Sequence, residues 1–311
     1  MKIAVLAGGV GGARFLRALT EALDPADVTA IVNVGDDLEV AGLHVSPDLD
    51  SVLYTLAGFA DEERGWGRAD ETWHALETAR ALGGDAWFAL GDRDLGLHLV
   101  RTEALRAGAP LSAVTSRLAA ALGVESAVLP ATDDRLRTWV ETPAGTFAFQ
   151  EWFVRRGHAD PVDGVSFEGA DAAGAAPGVL EALEAADLLA VAPSNPYVSV
   201  GPILAVADIR RALERRRVPA VAVSPLIGGR AVKGPAAAML KRLAGGTTAA
   251  HLASCYAGLV DALVLDPADA DDTAAVAALG VHPIVTPTLL DEPEARRRMA
   301  ESVLEVAVTA A

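Results

Sequence analysis

The chain has 311 residues, of which 51% are hydrophobic, and it carries a formal net charge of −16 and one cysteine. This length is enough for one extended α/β domain or two smaller ones, and the acidic balance argues against a nucleic-acid partner. A lone cysteine excludes an intrachain disulfide, and no apolar run reaches the roughly 18 residues that span a bilayer, so we expect a cytoplasmic protein without a membrane partner.

The first predicted elements are a strand, a glycine-rich loop and a helix. They comprise the apolar run Ile3–Leu6, then Gly8, Gly9, Gly11 and Gly12, then the helical pattern Ala13–Leu23. Glycine lets backbone N–H groups approach an anion closely, and a helix N-terminus adds partial positive charge. The loop matches neither G-x-G-x-x-G, because Arg14 stands at the third glycine, nor the Walker A loop. It therefore favours a phosphate or nucleotide site, with a plain tight turn as the alternative.

Apolar β-type runs alternate with amphipathic helical segments along the rest of the chain. Further predicted strands are Thr29–Val32, Ala86–Leu90, Ser126–Leu129, Leu188–Ala192, Ala220–Val223, Ala262–Leu265 and Pro283–Val285, and helices between them include Glu71–Leu82, Leu111–Leu122, Ile203–Arg216 and Glu294–Val308. This alternation predicts a doubly wound α/β fold, with a mostly parallel, Rossmann-like sheet covered by helices on both faces.

One segment interrupts the alternation. Thr138–Glu141 and Thr146–Val154 flank a Thr-Pro-Ala-Gly turn, which is typical of an antiparallel hairpin. Residues 155–178 are rich in Gly, Ala and Asp and are interpreted as a surface excursion. We therefore predict a single α/β domain over residues 1–311, with a core of about 1–130 and 177–311. An insertion of about 131–176 carries the β-hairpin and helical excursions.

Acidic side chains recur in the loops that follow the predicted strands, where doubly wound sheets bind their ligands. The loops are Asn33-Val34-Gly35-Asp36-Asp37, Ser46-Pro47-Asp48-Leu49-Asp50, Gly91-Asp92-Arg93-Asp94 and Pro130-Ala131-Thr132-Asp133-Asp134. Carboxylate oxygens suit Mg²⁺, which combines one or two carboxylates with phosphate oxygens and waters. The alternative for each cluster, including Asp50 ahead of the apolar stretch Val52–Phe59, is a helix cap or turn.

Several other segments have two interpretations. In Pro193-Ser194-Asn195-Pro196, the Ser and Asn side chains either bond a base or ribose or form an ordinary turn. Arg64-Gly65-Trp66-Gly67 is interpreted as a mobile loop beside a pocket, and Cys255 as a buried, unreactive helix residue. A predicted aromatic strand favours core or subunit packing over a stacked heteroaromatic ligand; its residues are Phe147, Phe149, Trp152 and Phe153.

The ordered set of motifs resembles the 2-phospho-L-lactate transferases of coenzyme F-420 biosynthesis. The resemblance covers nearly the whole chain, and the alanine- and arginine-rich composition is similar to the actinobacterial branch. It rests on Gly8-Gly9-Val10-Gly11-Gly12-Ala13-Arg14-Phe15, Asn33-Val34-Gly35-Asp36-Asp37, Ser46-Pro47-Asp48-Leu49-Asp50, Leu90-Gly91-Asp92-Arg93-Asp94, Phe149-Gln150-Glu151, Pro193-Ser194-Asn195-Pro196 and Ser224-Pro225-Leu226-Ile227-Gly228-Gly229.

The resemblance implies an enzyme that takes a guanosine diphosphate carrying lactate, or in actinobacteria enolpyruvate, on its terminal phosphate. Such an enzyme moves the phospho-acid unit to the ribityl hydroxyl of the deazaflavin alcohol Fo and releases GMP. The family also implies Mg²⁺ as cofactor and a homodimer. Which three-carbon acid the donor carries stays open at this point, because the two groups differ little in size.

The resemblance also implies roles for individual residues. The expected donor-binding residues are Gly9, Val10, Gly11, Gly12, Arg14, Ser194, Asn195 and Pro196, and of these Ser194 and Asn195 are expected to face the guanosine. Asp36, Asp37 and Asp50 are the expected metal ligands, and Asp50, Asp92 and Arg93 are expected to face Fo. The catalytic set is Asp50, Asp36 and Arg14.

Two other functions remain alternatives from sequence. A non-catalytic regulator that binds a nucleotide or nucleotide sugar would share the glycine loop and fold, although the acidic loops favour catalysis. A dinucleotide-dependent oxidoreductase would need an intact G-x-G-x-x-G and an acidic residue about 20 positions after it, and both are absent.

Overall fold

The structure is a computed structural model that describes residues 1–309, so the last two residues of the predicted domain, 310–311, lie outside the described residues. The strands are β1 Ile3–Ala7, β2 Val28–Val32, β3 Leu38–Val40, β4 Leu43–Val45, β5 Ala127–Pro130, β6 Arg137–Thr142, β7 Gly145–Ala148, β8 Gly164–Glu168, β9 Leu188–Val191, β10 Ala220–Val223, β11 Leu226–Ile227, β12 Arg230–Ala231, β13 Ala262–Leu265 and β14 His282–Val285. The α-helices are α1 Gly9–Ala22, α2 Pro47–Leu56, α3 His74–Ala81, α4 Asp92–Arg106, α5 Leu111–Ala121, α6 Val179–Ala185, α7 Gly201–Ala205, α8 Ala207–Glu214, α9 Ala236–Leu243, α10 Ala249–Cys255, α11 Thr273–Ala277 and α12 Pro293–Thr309.

The central sheet confirms the predicted doubly wound α/β fold. Within residues 1–309 it has seven strands in the order β14-β13-β10-β9-β1-β2-β5, and every neighbouring pair is parallel. Its inner strands are apolar and buried along their length, as expected for a sheet covered on both faces. The strand order reverses between β1 and β9, which places the expected ligand crevice between the loops that follow these two strands.

Helix α1 fixes one wall of this crevice. It starts directly after β1, so its N-terminus lies at the carboxyl edge of the sheet. Phe15, Leu16 and Leu19 are fully buried on its inner face, and burying each such side chain contributes about 1.5–3 kcal/mol to stability. The outer flanks of α1 pack against α2 and α12. Within the part of the chain that the structure describes, no helix combines the length and apolar character needed to cross a membrane.

The predicted strand Ala86–Leu90 is wrong. This segment has irregular backbone, and Leu90 alone among its five residues is buried. The rings of Trp87 and Phe88 pack edge to face, with centroids 5.5 Å apart. Side chains that face each other within the segment leave no apolar face to dock on the sheet, so a β-type composition is not sufficient here.

The predicted hairpin exists, but its second arm ends at Ala148 rather than Val154. Residues Glu151–Arg155 form a short π-helix instead. The ring of Phe149 stacks on that of Phe153, with centroids 5.4 Å apart, and also approaches Trp152. Contacts at i+3 and i+4 require a helical turn, because a strand points alternate residues to opposite faces. Phe149 and Trp152 are buried, so the expected core role of the aromatic segment is confirmed. Its strand assignment is right for Phe147 in β7 and wrong from Phe149 onward.

Other departures are smaller. The surface excursion contains β8, which pairs antiparallel with β6 and completes the three-stranded sheet β7-β6-β8. The predicted helix Ile203–Arg216 divides into α7 and α8, because Val206 adopts an extended backbone and buries its side chain. Two short hairpins, β3–β4 and β11–β12, turn on residue pairs with positive φ, Ala41-Gly42 and Gly228-Gly229, the geometry that two-residue hairpin turns require.

Candidate active site

The glycine loop packs tightly against the segment that follows β9. The Ser194 hydroxyl donates to the Gly8 carbonyl at 2.7 Å. A Cβ added at Gly11 would come within 2.5 Å of the Pro193 carbonyl oxygen, and one at Gly8 within 2.7 Å of Asp48 Oδ2. These glycines are therefore required for close approach between neighbouring loops. The role of Gly9 to Gly12 in phosphate binding stays a prediction.

Asn195 and Pro196 begin the π-helix Pro196–Val200. The Asn195 side chain accepts the Tyr197 N–H at 2.9 Å, and its amide group contacts the Met239 sulfur at 3.3 Å. Ser194 is buried. The turn interpretation of these residues is therefore observed directly, and their contact with guanosine stays a prediction.

Four buried aspartates form a carboxylate cluster at the carboxyl edge of β2. Asp36, Asp37, Asp48 and Asp50 are each 4–6% exposed. Fully buried Asn33 links two of them, because its amide group donates to Asp36 at 2.7 Å and to Asp48 at 2.9 Å. The loop after β2 and the first turns of α2 are thereby held together. Unpaired buried carboxylates are costly, which is why such clusters mark functional sites.

The pKa values of two members report this cost. Burial, followed by the charges of Asp48 and Asp37, raises the pKa of Asp36 well above its usual value. Burial raises the pKa of Asp48 to about 6, even though hydrogen bonds from Asn33 and the Gly9 N–H act in the opposite direction. Among the described residues, Asp36 and Asp48 form no ion pair and accept side-chain hydrogen bonds from amide groups, so a bound cation would lower both pKa values.

Asp36 and Asp37 also form one wall of a pocket of about 240 Å³, here called the acidic pocket. Asp36 accepts a hydrogen bond from the Gln150 side chain at 2.9 Å. Asp37 accepts the Ser46 hydroxyl at 2.8 Å, and its second carboxylate oxygen is buried without a hydrogen-bond partner among the described residues. Aromatic and cationic side chains complete the pocket: Trp87, Phe149, Arg137 and Arg155.

The fit of these residues to Mg²⁺ follows from this donor set. Among residues 1–309, no group of three or more His, Cys, Asp or Glu side chains is arranged to hold a metal by itself. Mg²⁺ needs only one or two carboxylates when phosphate oxygens and waters complete its shell. Asp36 and Asp37 suit that arrangement, since Asp37 has an oxygen without a partner among the described residues and Asp36 accepts hydrogen bonds from the neutral side-chain amides of Asn33 and Gln150.

Asp50 has a different environment. Both of its carboxylate oxygens pair with the guanidinium of Arg101, which is fully buried on α4. Asp50 does not cap a helix, because α2 begins at Pro47 with Ser46 as its N-cap residue, so that alternative is wrong. Asp50 lies beside the other three aspartates, but its assignment as a metal ligand and acceptor contact stays a prediction.

A second pocket, of about 160 Å³, lies along the outer face of α1 and is called here the α1 groove. Arg14 lines it and pairs with Asp291 at 2.5 Å, while Arg17 pairs with Glu62. Gly65, Trp66 and Gly67 also line the groove, so the predicted position of their loop beside a pocket is confirmed. The role of Arg14 in donor binding stays a prediction.

Asp92 and Arg93 lie at the start of α4 and line neither pocket. The Asp92 carboxylate accepts the Thr72 hydroxyl and the backbone N–H groups of His74 and Ala75. Arg93 is exposed, 3.8 Å from the Asp70 carboxylate. Their contact with an acceptor stays a prediction.

Several residues that build this site have no role predicted from the sequence. They are Asn33, Asp48, Gln150, His98 and Arg101. The first three lie inside the motifs that carry the family resemblance, and this position could have identified them as site residues. Arg101 had none, because nothing in the sequence indicates that α4 buries a charged face against α2.

Comparisons with known proteins agree along the whole chain. The family model described as 2-phospho-L-lactate transferase CofD matches residues 3–303. Proteins named phosphoenolpyruvate transferase are similar from Streptomyces coelicolor, at 46% identity over 99% of this chain and 98% of the relative, and from Thermobifida fusca, at 44% identity over the same shares. The corresponding protein of Mycobacterium bovis is 40% identical over 99% of each chain.

A solved structure shows the same fold. An X-ray structure of a Bacillus halodurans protein superposes with a TM-score of 0.67 at 20% sequence identity, covering 97% of this chain and 99% of that one. At this identity the similarity concerns the fold alone.

Proposed function

Because the chain belongs to the 2-phospho-L-lactate transferase family, and is therefore a transferase of coenzyme F-420 biosynthesis, we propose the following reaction. The enzyme moves a phospholactyl or phosphoenolpyruvyl group from a guanosine diphosphate-linked three-carbon acid to the ribityl hydroxyl of Fo and releases GMP. We propose that it acts as a cytoplasmic homodimer.

The observation that carries this proposal is the carboxylate cluster beside the glycine loop. Its charge is buried and incompletely compensated, and Asp36 and Asp37 face a pocket. A diphosphate with a divalent cation would supply the charge and ligands that this arrangement lacks. A regulator that only bound a nucleotide would have no need of an acidic pocket on the acceptor side.

The reaction forms one bond and breaks one. The Fo hydroxyl oxygen attacks the distal phosphorus, the bond from that phosphorus to the bridging oxygen breaks, GMP leaves with the bond's electrons, and the hydroxyl proton is released. Such a transfer depends mainly on positioning and charge neutralisation. Asp36 and Asp37 would hold Mg²⁺, which when bound offsets the charge of the diphosphate. Asp50 would orient the hydroxyl at the edge of the cluster.

We place the donor across the crevice between the loops after β1 and β9. The N-terminus of α1 would receive the diphosphate, with Arg14 turning from Asp291 toward phosphate oxygens. Ser194 and Asn195 would lie on the guanosine side. The relatives at 40–46% identity are named phosphoenolpyruvate transferase, which favours the enolpyruvyl donor over the lactyl one.

We place Fo in the acidic pocket. Trp87 and Phe149 provide aromatic surface for a flat heterocycle, and the pocket ends at Asp36 and Asp37, where the hydroxyl must arrive. Asp92 and Arg93 remain candidate acceptor contacts from the start of α4.

The test is turnover of Fo with each donor, followed by mass spectrometry of the product and detection of GMP. We expect product from the enolpyruvyl donor, a Mg²⁺ requirement, and loss of activity in excess chelator that returns when Mg²⁺ is added. An Asp37→Asn variant should be inactive. The control is Asp133→Asn, which should keep its activity; Asp133 lies in the loop after β5, and its carboxylate accepts hydrogen bonds from Ser112. Undiminished turnover in chelator would refute the metal, and absence of product with both donors would refute the reaction.

A further inference from the structure

A buried ion network connects α2 to α4 behind the carboxylate cluster. On α2 it contains Asp50 and Tyr54, one turn apart; on α4 it contains Asp94, His98 and Arg101, spaced by four and three residues. The Arg101 guanidinium takes both Asp50 oxygens. The His98 ring lies between two carboxylates, with Nδ1 3.8 Å from Asp50 and Nε2 3.5 Å from Asp94, and the Tyr54 hydroxyl donates to Asp94.

Arg101 is an expensive residue to keep in this position. It is 0% exposed, and its Nε atom is buried without a hydrogen-bond partner in the described part of the chain. A buried ion pair of this kind rarely adds net stability over apolar residues of the same volume. Leu53 on α2 and Leu97 on α4 are apolar residues buried on the same two helices, so an apolar contact between α2 and α4 was chemically available. The pair therefore points to a role for its charge.

The geometry gives that role. With both oxygens held in a two-point contact, Asp50 has a fixed orientation and its charge is cancelled locally. Of the four clustered aspartates, Asp50 alone has a bonded guanidinium; the others receive hydrogen bonds from amide, hydroxyl, imidazole or backbone groups. This difference separates Asp50 from the members whose charge is left for a cation.

We propose that Arg101 is a positioning residue for the transfer reaction: it fixes Asp50 toward the acceptor hydroxyl and keeps the Asp50 carboxylate out of the divalent cation's coordination shell. This inference rests on the proposed function and deepens it. It divides the cluster into Asp36 and Asp37, which serve the cation, and Asp50, which serves the acceptor.

Loss of the Arg101 charge should raise the affinity of the cluster for a divalent cation, even though it breaks a buried ion pair. The cluster and Arg101 together contain four carboxylates and one guanidinium. Arg101→Gln removes the cation and frees Asp50, so Mn²⁺, used as the probe for Mg²⁺, should bind at least fivefold more tightly than to the wild-type protein. The double variant Asp50→Asn/Arg101→Gln removes one charge of each sign, so its Mn²⁺ affinity should return to within twofold of wild type. Asp50→Asn alone should weaken Mn²⁺ binding.

Turnover should move in the opposite direction. Arg101→Lys keeps the charge but not the two-point contact, so kcat should fall at least tenfold while the KM for the donor stays within twofold. In the Asp50→Asn background the same change should have no further effect, because Arg101 acts through Asp50. Arg106→Gln and Arg106→Lys are matched controls on α4, since Arg106 is exposed and its guanidinium donates to the Gly42 carbonyl. Neither variant should change Mn²⁺ affinity or kcat.

The experiment is a Mn²⁺ titration by electron paramagnetic resonance, with far-ultraviolet circular dichroism as the folding check and steady-state kinetics alongside. If Arg101→Gln does not fold, the comparison of Asp50→Asn with the double variant measures the same charge term. Unchanged Mn²⁺ affinity across the folded variants, or an Arg101→Lys effect that multiplies with that of Asp50→Asn, would overturn the proposal. A wild-type protein that binds Mn²⁺ but does not convert Fo would refute the proposed reaction and leave the charge comparison as the test of Arg101; a protein that did neither would overturn both.

Discussion

The carboxylate cluster and the α1 groove differ in the burial and pairing of their charged side chains, although α2 contributes side chains to both. In the cluster, four aspartates are buried and one guanidinium compensates them. In the groove, Arg14 and Arg17 are partly accessible and already have the carboxylate partners Asp291 and Glu62, while Arg296 is buried and pairs with Glu21. Buried uncompensated charge costs several kcal/mol per ion, whereas an exposed pair contributes about 0–1 kcal/mol.

The difference separates two kinds of binding surface. In the cluster, buried carboxylates repel one another, and on the proposed function a bound cation would relieve that repulsion, so substitutions there should change turnover and stability strongly. In the groove, on the proposed function, a donor phosphate would displace the carboxylate from a weak arginine pair, so substitutions there should change donor affinity by modest factors. Substitutions on each side test this contrast, from the largest expected effect to the smallest.

Asp50→Asn should have the largest effect. Turnover of Fo should fall on the order of 10²-fold or more, the scale for loss of a positioned electrostatic group. Stability should fall by about 3–5 kcal/mol, because Arg101 is left buried without its counter-ion. Kinetics and chemical denaturation measure the two effects. A variant that kept most of its activity while losing stability would show that Asp50 serves only the fold.

Much of the fold that positions Asp50 could be predicted from the sequence. The buried strands could be identified because short, continuous apolar runs between helical patterns are typical of a parallel sheet covered on both faces, and strands β10 and β13 match their predicted bounds. The motif loops were placed at one edge of the sheet by topology alone. The segment Ala86–Leu90 failed because composition does not report whether a strand has a neighbour to pair with.

The site was predictable in kind but not in its internal connections. Asp36, Asp37 and Asp50 were expected together, and they lie together. That Asp50 pairs with Arg101 depends on how α4 packs on α2, a contact between residues 51 positions apart, which no local pattern encodes. Likewise, the positive charge of Arg14 was visible in the sequence, but its partner Asp291 comes from the far end of the chain.

Arg14→Ala tests the groove. Loss of a charge-assisted contact with the donor phosphates should weaken donor binding by roughly 1.5–3 kcal/mol, with little change in the free energy of unfolding because the Arg14–Asp291 pair is partly exposed. Calorimetric titration with the donor measures this, and Arg297→Ala, which removes an exposed arginine paired on α12, is the matched control. Equal donor affinity in wild type and Arg14→Ala would place the diphosphate elsewhere.

Asp48 should make the stability of the folded protein depend on pH. Because burial raises its pKa from near 4 to about 6, the folded protein binds more protons than the unfolded chain in this interval. The associated stability is therefore present below about pH 4 and is lost as the pH rises through about 6. Without divalent cation, the melting temperature of wild type relative to Asp48→Asn should fall between about pH 4.5 and 7.5. A difference that stayed constant would mean that Asp48 already has a compensating partner.

The smallest effect should come from Asp291→Asn, which tests most directly whether Asp291 holds Arg14 until a donor phosphate displaces it. If Arg14 must leave Asp291 to reach phosphate, this carboxylate competes with the donor, and its removal should strengthen donor binding. The gain is bounded by the value of a half-exposed ion pair, about 0–1 kcal/mol, so the affinity should rise by no more than about fivefold.

The gain should shrink at high salt, because screening weakens the competing pair in the wild-type protein as well. In the double variant Arg14→Ala/Asp291→Asn the gain should vanish, since no cation remains to be released. Weaker donor binding in Asp291→Asn would instead mean that Asp291 holds Arg14 in its binding orientation, and the groove would then resemble the cluster, where a carboxylate and a guanidinium act as one fixed unit.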